Sequence, residues 1–172
     1  FEKYIFEPLG MNDTAFHVSA DKVDRFCANY ERTREKTLKC IDDPQASTYA
    51  DKPSFLSGGG GLTGTTADYF KFCEMLRCKG TVNGERIVGS RTLAMMHRNH
   101  LPNNTDLANL AVGAFSETAY EGVGFGLGFA VMLDPALAQM MTSPGEYTWG
   151  GMASTTFWVD PAEGIHAVFM TQ

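Results

Sequence analysis

The C-terminal third of the chain consists of residues that favour β-strands, divided by short turn sequences. Over residues 124–133, bulky apolar side chains alternate with glycine, alanine and methionine, which predicts one strand with a bulky face and a nearly bare face. Residues 146–161 read as a second strand that a turn beginning at Asp160-Pro161 closes, and residues 164–172 read as its return strand. Successive strands joined by such short turns predict an antiparallel sheet.

A helix is predicted between Thr65 and Gly80, before these strands. Thr65 is followed three residues later by Asp68, an arrangement typical of a helix N-terminus. Apolar side chains then recur at the spacing of one helix face, at Tyr69, Phe72, Cys73 and Leu76. Basic residues near the end suit the negative end of a helix, and Gly80 suits its stop.

Shorter elements are predicted on both sides of this helix. Residues 11–57 are polar and irregular, which indicates surface loops and short extended pieces. Asn83-Gly84 is the signal of a tight hairpin, and Ser90 is expected to cap a further helix that ends before Pro102. Helices in the middle of the chain and antiparallel strands at its end indicate an α+β fold.

The charge and the lengths of the apolar runs argue against nucleic-acid binding and against a membrane span. The 172 residues suffice for one domain with a real core. The net charge is -6 and no cluster of lysine and arginine stands out, whereas nucleic-acid binding needs a basic face. No apolar run reaches the ~18 residues that a membrane span requires. Neither nucleic acid nor a membrane span is therefore expected.

The cysteines and histidines predict neither a metal site nor a redox centre. The four cysteines contain no Cys-x-x-Cys pair. His97 and His100 stand three residues apart, but no third ligand lies nearby in the sequence, so no metal is expected. Cys73 and Cys78 read as free thiols, which favours a reducing compartment. The expected location is the cytoplasm, with the periplasm left open for a longer protein.

Two short motifs invite a functional reading that their surroundings contradict. Gly59–Gly64 matches Gly-x-Gly-x-x-Gly, yet no clear strand precedes it and Thr65 stands where a P-loop needs lysine. Ser19 and Lys22 match Ser-x-x-Lys, in which the lysine amine can take the serine proton. Polar flanking residues would keep this lysine hydrated. We interpret the first motif as a flexible turn and the second as surface.

Trp149-Gly150-Gly151 is a better candidate site. Glycine weakens a strand, so two glycines inside one indicate a bulge, a bend, or the close approach of a ligand or another backbone. One reading places a substrate along this strand, whose N–H groups would stabilise a developing oxyanion by ~3 kcal/mol each. The other reading is a glycine kink packed against a helix. These residues alone leave both readings open.

Three segments resemble the C-terminal half of the β-lactamase-related serine hydrolases, which include class C β-lactamases, D-Ala carboxypeptidases and family VIII carboxylesterases. Residues 5–16 (IFEPLGMNDTAF) resemble the family element Pro-Leu-Gly-Met-x-x-Thr-x-Phe. Residues 57–76 (SGGGGLTGTTADYFKFCEML) resemble the glycine-rich start of a family helix. Residues 124–133 and 145–161 resemble the sheet that carries the family's third motif.

The resemblance implies a β-lactamase/transpeptidase-like α+β fold, in which helices flank an antiparallel sheet. It puts Trp149, Gly150 and Gly151 at the third motif, where the family has Lys-Thr-Gly or His-x-Gly and where family VIII esterases have a similar Trp-x-Gly. A cation that would hold a β-lactam carboxylate is missing, which favours neutral esters and makes Trp149 a pocket wall. By the same resemblance, the backbone N–H of Met152 is the second oxyanion donor.

The resemblance puts the family's Ser-x-x-Lys nucleophile and Tyr-x-Asn loop before residue 1. Residues 1–172 are therefore expected to be the C-terminal part of one domain, cut at both ends. The expected function of the intact protein is hydrolysis of small esters through an acyl-enzyme, without a cofactor and with a small ester or amide as its partner. A β-lactamase, a D-amino-acid peptidase or transpeptidase, and a non-catalytic binding protein stay open as alternatives.

Overall fold

The computed structural model describes residues 1–110 and 121–171. In chain order its strands are β1 (Asn29–Arg32), β2 (Leu38–Asp42), β3 (Thr81–Val82), β4 (Glu85–Arg86), β5 (Val123–Phe125), β6 (Ala130–Met132), β7 (Tyr147–Gly150), β8 (Thr156–Asp160) and β9 (Ile165–Phe169). The last five form one antiparallel sheet in the order β5-β6-β7-β8-β9. The strands β1 and β2, and likewise β3 and β4, pair as separate hairpins. The predicted antiparallel sheet is therefore confirmed.

The helices are short except for one. They are α1 (Phe6–Leu9), α2 (Thr66–Arg77), α3 (Ser90–Met96), α4 (Leu107–Leu110) and α5 (Pro135–Ala138). None of these helices, within the described ranges, is long and apolar enough to cross a bilayer.

Helix α2 covers one face of the main sheet and begins where the sequence predicts. The Thr65 side chain accepts a hydrogen bond from the N–H of Asp68, which satisfies one of the free donors of the first turn. The apolar face of α2 packs on β8 and β9. There Cys73 and Leu76 join a buried cluster with Tyr147 and other sheet residues. The amphipathic pattern thus identified both the helix and the face that it buries.

Near α3 the predicted hairpin and the predicted helix before Pro102 are both confirmed, but the predicted cap residue is wrong. Asn83 and Gly84 form the tight turn between β3 and β4, and both adopt positive φ. Ser90 begins α3 but does not cap it, because Gly89 occupies the cap position and no side chain bonds the first turn. The helix ends at Met96, so it is shorter than the apolar pattern suggests.

The predicted single strand over residues 124–133 is in fact the hairpin β5–β6. Phe125 pairs with Ala130, and the N–H of Gly126 donates to the Phe129 carbonyl at 2.7 Å to close the turn. The end of α3 lies against this turn, since a Cβ on Gly126 would come 2.1 Å from the Met96 carbonyl oxygen. The bare face does admit a close neighbour, as expected, but the alternation does not reveal where the chain reverses.

The predicted strand over residues 146–161 is also wrong, because it consists of two strands, β7 and β8. The pair Gly150↔Thr156 is the last before the chain turns. The two glycines that looked out of place therefore end one strand and begin a turn. The turn after Asp160 and the return strand β9 form as predicted, and Gly164 there has a φ of 68°.

A buried carboxylate joins the N-terminal segment to the start of α2. Asp68 is 4% exposed and accepts hydrogen bonds from the Asp13 N–H at 2.7 Å and the Thr14 hydroxyl at 3.1 Å. Lys71 lies 3.0 Å from the same carboxylate and also donates to the Gly10 carbonyl. Two segments far apart in the sequence, residues 5–16 and 57–76, are therefore packed side by side.

Candidate active site

Among the residues that the structure describes, no strand pairs with the end of β7 on the side of β6, and we call this side its free edge. The strand β6 pairs with only the first two residues of β7, Tyr147 and Thr148. On its other side β7 pairs with β8 along its whole length, as far as Gly150. The chain of β6 turns away before it reaches Trp149, so β7 projects beyond this neighbour.

The backbone of Gly150 faces this free edge. In an antiparallel pair, residues that exchange hydrogen bonds alternate with residues whose N–H and C=O point the other way. The N–H of Gly151 donates to the Thr155 carbonyl at 2.8 Å, so Gly151 faces β8 and Gly150 faces away from it. On that side, no backbone hydrogen bond between residues of the described ranges involves Gly150. An extended chain could therefore bind there as a further strand does.

A tight turn follows β7 and carries Met152 near its tip. The N–H of Ser154 donates to the Gly151 carbonyl at 3.0 Å, which closes a turn over residues 151–154. Met152 and Ala153 keep negative φ, as in a type I turn, and Ser154 adopts a left-handed φ of 61°. The Met152 side chain is fully exposed. Its backbone N–H has no hydrogen-bond partner in the part of the chain that the structure describes.

The two glycines have different surroundings. A Cβ on Gly151 would lie 2.5 Å from Thr155 Oγ1, so a side chain there would meet the other strand of its own hairpin. A Cβ on Gly150 would lie 3.3 Å from the Thr155 carbonyl oxygen, which is only a tight contact. Among the described residues, the atoms within 4 Å of either Cβ position belong to Thr155 and not to a helix. The reading as a kink packed against a helix is therefore wrong.

Trp149 lies half-buried at the same end of β7. Its ring makes a T-shaped contact with the ring of Phe125, with 5.2 Å between centroids. It also packs against both apolar clusters of the sheet. Its carbonyl oxygen accepts a hydrogen bond from the Thr156 hydroxyl at 3.2 Å. The side chain beside the free edge is therefore uncharged and held in place by packing.

Two titratable side chains lie behind β7, on the side of the core. Tyr147 is 1% exposed, and this burial raises the pKa of its phenol. His97 stacks on the Tyr147 ring at 4.6 Å, and desolvation lowers the pKa of its imidazole. Each shift favours the uncharged form at neutral pH. These two groups therefore contribute packing beneath the strand.

The Ser-x-x-Lys pair of the N-terminal half does not form a nucleophile and base. Ser19 precedes a short 3-10 helix, and its hydrogen bond to Asp21 lowers the pKa of that carboxyl. Lys22 Nζ lies 2.7 Å from Asp13 Oδ1 and donates to the Asn12 carbonyl at 2.9 Å. The Lys22 side chain is thus directed at Asp13 and Asn12, and no side-chain hydrogen bond joins it to Ser19 among the described residues.

Thr155 and Phe125 are the neighbours of the site that sequence reasoning missed. Both lie in stretches that were read as single strands, so the contacts made by hairpin partners were hidden. The sequence GMAST at residues 151–155 contains no Asn-Gly or proline signal. Gly151 alone hints at the turn, because glycine is unfavourable inside a strand.

Comparison with known proteins identifies relatives along nearly the whole chain. The protein Rv1367c of Mycobacterium tuberculosis is 30% identical over 174 residues, which is 99% of this chain and 42% of the relative. Esterase EstB of Burkholderia gladioli is 27% identical over 181 residues, which is 97% of this chain and 42% of the relative. The chain thus spans about two fifths of the length of the curated relatives it matches.

Solved structures share the fold. EstCE1, described as a hydrolase with promiscuous acyltransferase activity, is 28% identical with a TM-score of 0.74, over 97% of this chain and 43% of that one. Simvastatin synthase (LovD) from Aspergillus terreus matches with a TM-score of 0.76 and 20% identity, over 97% of this chain and 42% of that one. At the lower identity the likeness concerns the fold alone. The predicted β-lactamase/transpeptidase-like fold is confirmed.

The family assignment rests on a match along the full chain. The sequence profile of the family described as Beta-lactamase matches residues 1–172. An esterase and a hydrolase are among the similar proteins, in agreement with the resemblance of the three segments. This chain therefore belongs to the β-lactamase family of serine hydrolases.

Proposed function

We propose that this chain forms the substrate-binding strand of a serine hydrolase that acts on small carboxylic esters through an acyl-enzyme. The observation that carries the proposal is the free edge of β7, where Gly150 faces an unpaired side of the sheet next to the uncharged ring of Trp149. An acyl group that lies along this edge can accept hydrogen bonds from the strand, as an added strand would.

In the proposed enzyme, the attacking group comes from outside residues 1–172, which would be the C-terminal part of a single domain. A serine hydroxyl attacks the ester carbonyl, while a lysine and a tyrosine move its proton. The bond between the carbonyl carbon and the alcohol oxygen breaks, and the alcohol leaves with that proton. Water then hydrolyses the acyl-serine, which releases the carboxylic acid and restores the serine.

We assign the backbone N–H of Met152 to the oxyanion that forms in both steps. This group is free of partners within the described residues and follows directly after β7. A donor about 2.7–3.1 Å from the developing oxyanion stabilises the transition state more than the ground state. Trp149, Gly150 and Gly151 would hold the acyl group beside it.

The uncharged side chain of Trp149 supports esters over β-lactams, because a β-lactam carboxylate would need a cation at this position. The names of similar proteins point the same way, since one is Esterase EstB and another is described as a hydrolase with promiscuous acyltransferase activity. The alternatives are a β-lactamase, a D-amino-acid peptidase or transpeptidase, and a non-catalytic protein that keeps the fold for binding.

The free thiols support a cytoplasmic location for this enzyme. Cys27 and Cys40 are both free and exposed, and exposed thiols persist more readily in a reducing compartment. The periplasm remains the alternative.

The deciding experiment treats the full-length protein with a serine-directed fluorophosphonate and measures its intact mass. We expect one adduct, a single labelled serine on peptide mapping, and faster hydrolysis of p-nitrophenyl butyrate than of a chromogenic cephalosporin. An adduct with faster cephalosporin turnover would identify a β-lactamase instead. A folded protein that gains no adduct and hydrolyses neither compound would leave the non-catalytic alternative.

A further inference from the structure

A cavity of about 220 Å³ lies between residues 12–26 and the loop that precedes α2. None of the residues that line it belongs to β7 or to the turn after β7. Its lining includes the charged side chains of Asp13, Lys22 and Arg25. Sites for drug-sized ligands have volumes of roughly 300–1,000 Å³, so this cavity suits a smaller molecule. We name it the Arg25 cavity.

Two cations of the Arg25 cavity share one carboxylate. Lys22 Nζ lies 2.7 Å from one oxygen of Asp13, and an Nη atom of Arg25 lies 2.9 Å from the other. The hydrogen bond from Arg25, followed by that from Lys22, lowers the pKa of Asp13 to about 2, so this carboxyl is ionised. Asp21 and Asp24 lie in the 3-10 helix Ala20–Arg25 with the two cations but do not line the cavity. The wall therefore carries a net positive charge.

Both cations keep N–H donors that could bind a ligand. A guanidinium group has five N–H donors, and within the described part of the chain Arg25 makes one side-chain hydrogen bond, to Asp13. An ammonium group has three, and Lys22 directs two of them at Asp13 and the Asn12 carbonyl. Planar anions such as carboxylates fit the fork of an arginine, which makes Arg25 the main anchor.

Other residues that line the cavity are apolar and fixed in place. Val18 is 8% exposed, and its N–H donates to the Tyr49 carbonyl at 2.7 Å. The Phe26 ring packs edge-on against the ring of Tyr49, with 6.0 Å between centroids. Ala15 extends this apolar lining. A ligand that contacts both the two cations and the apolar lining must combine an anionic end with a hydrocarbon body.

We propose that the Arg25 cavity binds a small organic carboxylate. The carboxylate lies against Arg25 and Lys22, and the apolar body contacts Val18 and Phe26. This gives the Ser-x-x-Lys lysine a role in anion binding rather than in catalysis. The inference is independent of the proposed ester hydrolysis, because it uses none of the residues assigned to that reaction.

Isothermal titration of the full-length protein with sodium benzoate tests this proposal. We expect saturable binding at one site, and we expect Arg25→Gln to weaken it at least fivefold. The matched control is Arg91→Gln, which removes an exposed arginine of α3 that does not line the cavity and should leave the affinity within about 1.5-fold. Inorganic phosphate offers charge without an apolar body and should bind at least fivefold more weakly than benzoate.

The outcomes separate a built site from general attraction between charges. Equal benzoate affinity in Arg25→Gln and the unaltered protein would overturn the proposal, as would absence of saturable binding. Phosphate binding as tight as that of benzoate would overturn the role of the apolar lining. Lys22→Gln provides a second variant if Arg25→Gln unfolds, and a thermal melt of each variant establishes that the compared proteins are folded.

Discussion

Two hairpins of this protein have the same loop geometry in different surroundings. The two loops are residues 151–155 and residues 33–37. In each loop the N–H of the first residue donates to the carbonyl of the fifth, at 2.8 Å in the first loop and 2.9 Å in the second. In each loop the N–H of the fourth residue also donates to the carbonyl of the first, at 3.0 Å. The fourth residue is left-handed in each case, with φ of 61° at Ser154 and 64° at Lys36. The sequences GMAST and TREKT share only their final threonine.

The strands on either side of these loops distinguish the two hairpins. The hairpin β7–β8 lies inside a five-stranded sheet with Tyr147 and Val159 fully buried, whereas β1–β2 is an isolated pair whose strand residues are mostly exposed. The same turn therefore serves as a candidate oxyanion site in one place and as an exposed loop in the other. The turn geometry is local. The free edges beside the two turns differ in their setting, because that of β7 lies next to the packed ring of Trp149 in a buried sheet, whereas those of β1–β2 belong to an exposed two-stranded pair.

The largest expected effect comes from proline at the second position of the turn that follows β7. Met152→Pro removes the N–H that we assign to the oxyanion, while a type I turn accepts proline at this position. We expect kcat for p-nitrophenyl butyrate to fall by about 10²–10³-fold, the usual cost of one oxyanion donor.

Arg34→Pro is the matched control, because it places proline at the second position of the equivalent loop, between β1 and β2. It should leave kcat within about twofold of the unaltered protein. Comparable losses in the two variants would show that the first loss reflects general destabilisation, and unchanged turnover in Met152→Pro would refute the oxyanion assignment.

The next largest effect concerns the buried carboxylate that ties the N-terminal segment to α2. Asp68→Ala leaves the N–H of Asp13 and the hydroxyl of Thr14 without their acceptor. A lost hydrogen bond to a charged group costs about 1.5–3 kcal/mol, so we expect a loss of roughly that size in the free energy of unfolding, measured with urea.

Hydrogen exchange of Asp68→Ala compares the N-terminal segment with the main sheet. Amides of residues 11–16 should exchange faster, because Asp68 bonds this segment directly, while those of β7 and β8 keep their protection. Asp68→Asn retains one acceptor oxygen and should show a smaller loss. Uniform loss of protection along the whole chain would mean that the two regions unfold as one unit.

The sequence predicted the parts of the fold that depend on local patterns. The cap at Thr65, the apolar face of α2 and the Asn83-Gly84 turn follow from spacing within a few residues, and all three are confirmed. The β1–β2 hairpin lies in a stretch predicted only as loops and short extended pieces, because its turn lacks a glycine. A left-handed lysine at its fourth position carries no signal that a sequence pattern would reveal.

The candidate site was harder to predict, because it depends on where neighbouring strands end. Strand alternation marked residues 124–133 and 146–161 as extended, but it did not show that each stretch contains a reversal. The free edge beside Gly150 arises because β6 begins only at Ala130, opposite Thr148, and the turn before it lies against the end of α3. The two glycines inside a strand singled out Trp149, Gly150 and Gly151, and the family resemblance added Met152, whereas Thr155 emerged only from the register of β7 and β8.

A smaller effect is expected from a side chain at the first position of the turn. The first position is Gly151 in the turn after β7 and Thr33 in the turn of β1–β2. The Thr33 hydroxyl lies 2.9 Å from the Thr37 hydroxyl across β1–β2. In Gly151→Ala the new Cβ would meet Thr155 Oγ1, which must rotate away, and we expect a loss of about 1–2 kcal/mol in the free energy of unfolding. The double variant with Thr155→Ala should recover most of this loss. If the two single effects simply add, the contact is not the cause.

The smallest expected effect tests whether the two loops are energetically alike. A non-glycine residue at left-handed φ is strained, and glycine relieves that strain but gains more freedom in the unfolded chain. Ser154→Gly and Lys36→Gly should therefore each raise the free energy of unfolding by no more than about 0.5–1 kcal/mol. Because the two backbones match, the two gains should agree within the error of paired urea titrations. A gain at Lys36 with a loss at Ser154 would show that the sheet around β7–β8 already holds its loop in the left-handed conformation, so that the surroundings determine turn stability as well as function.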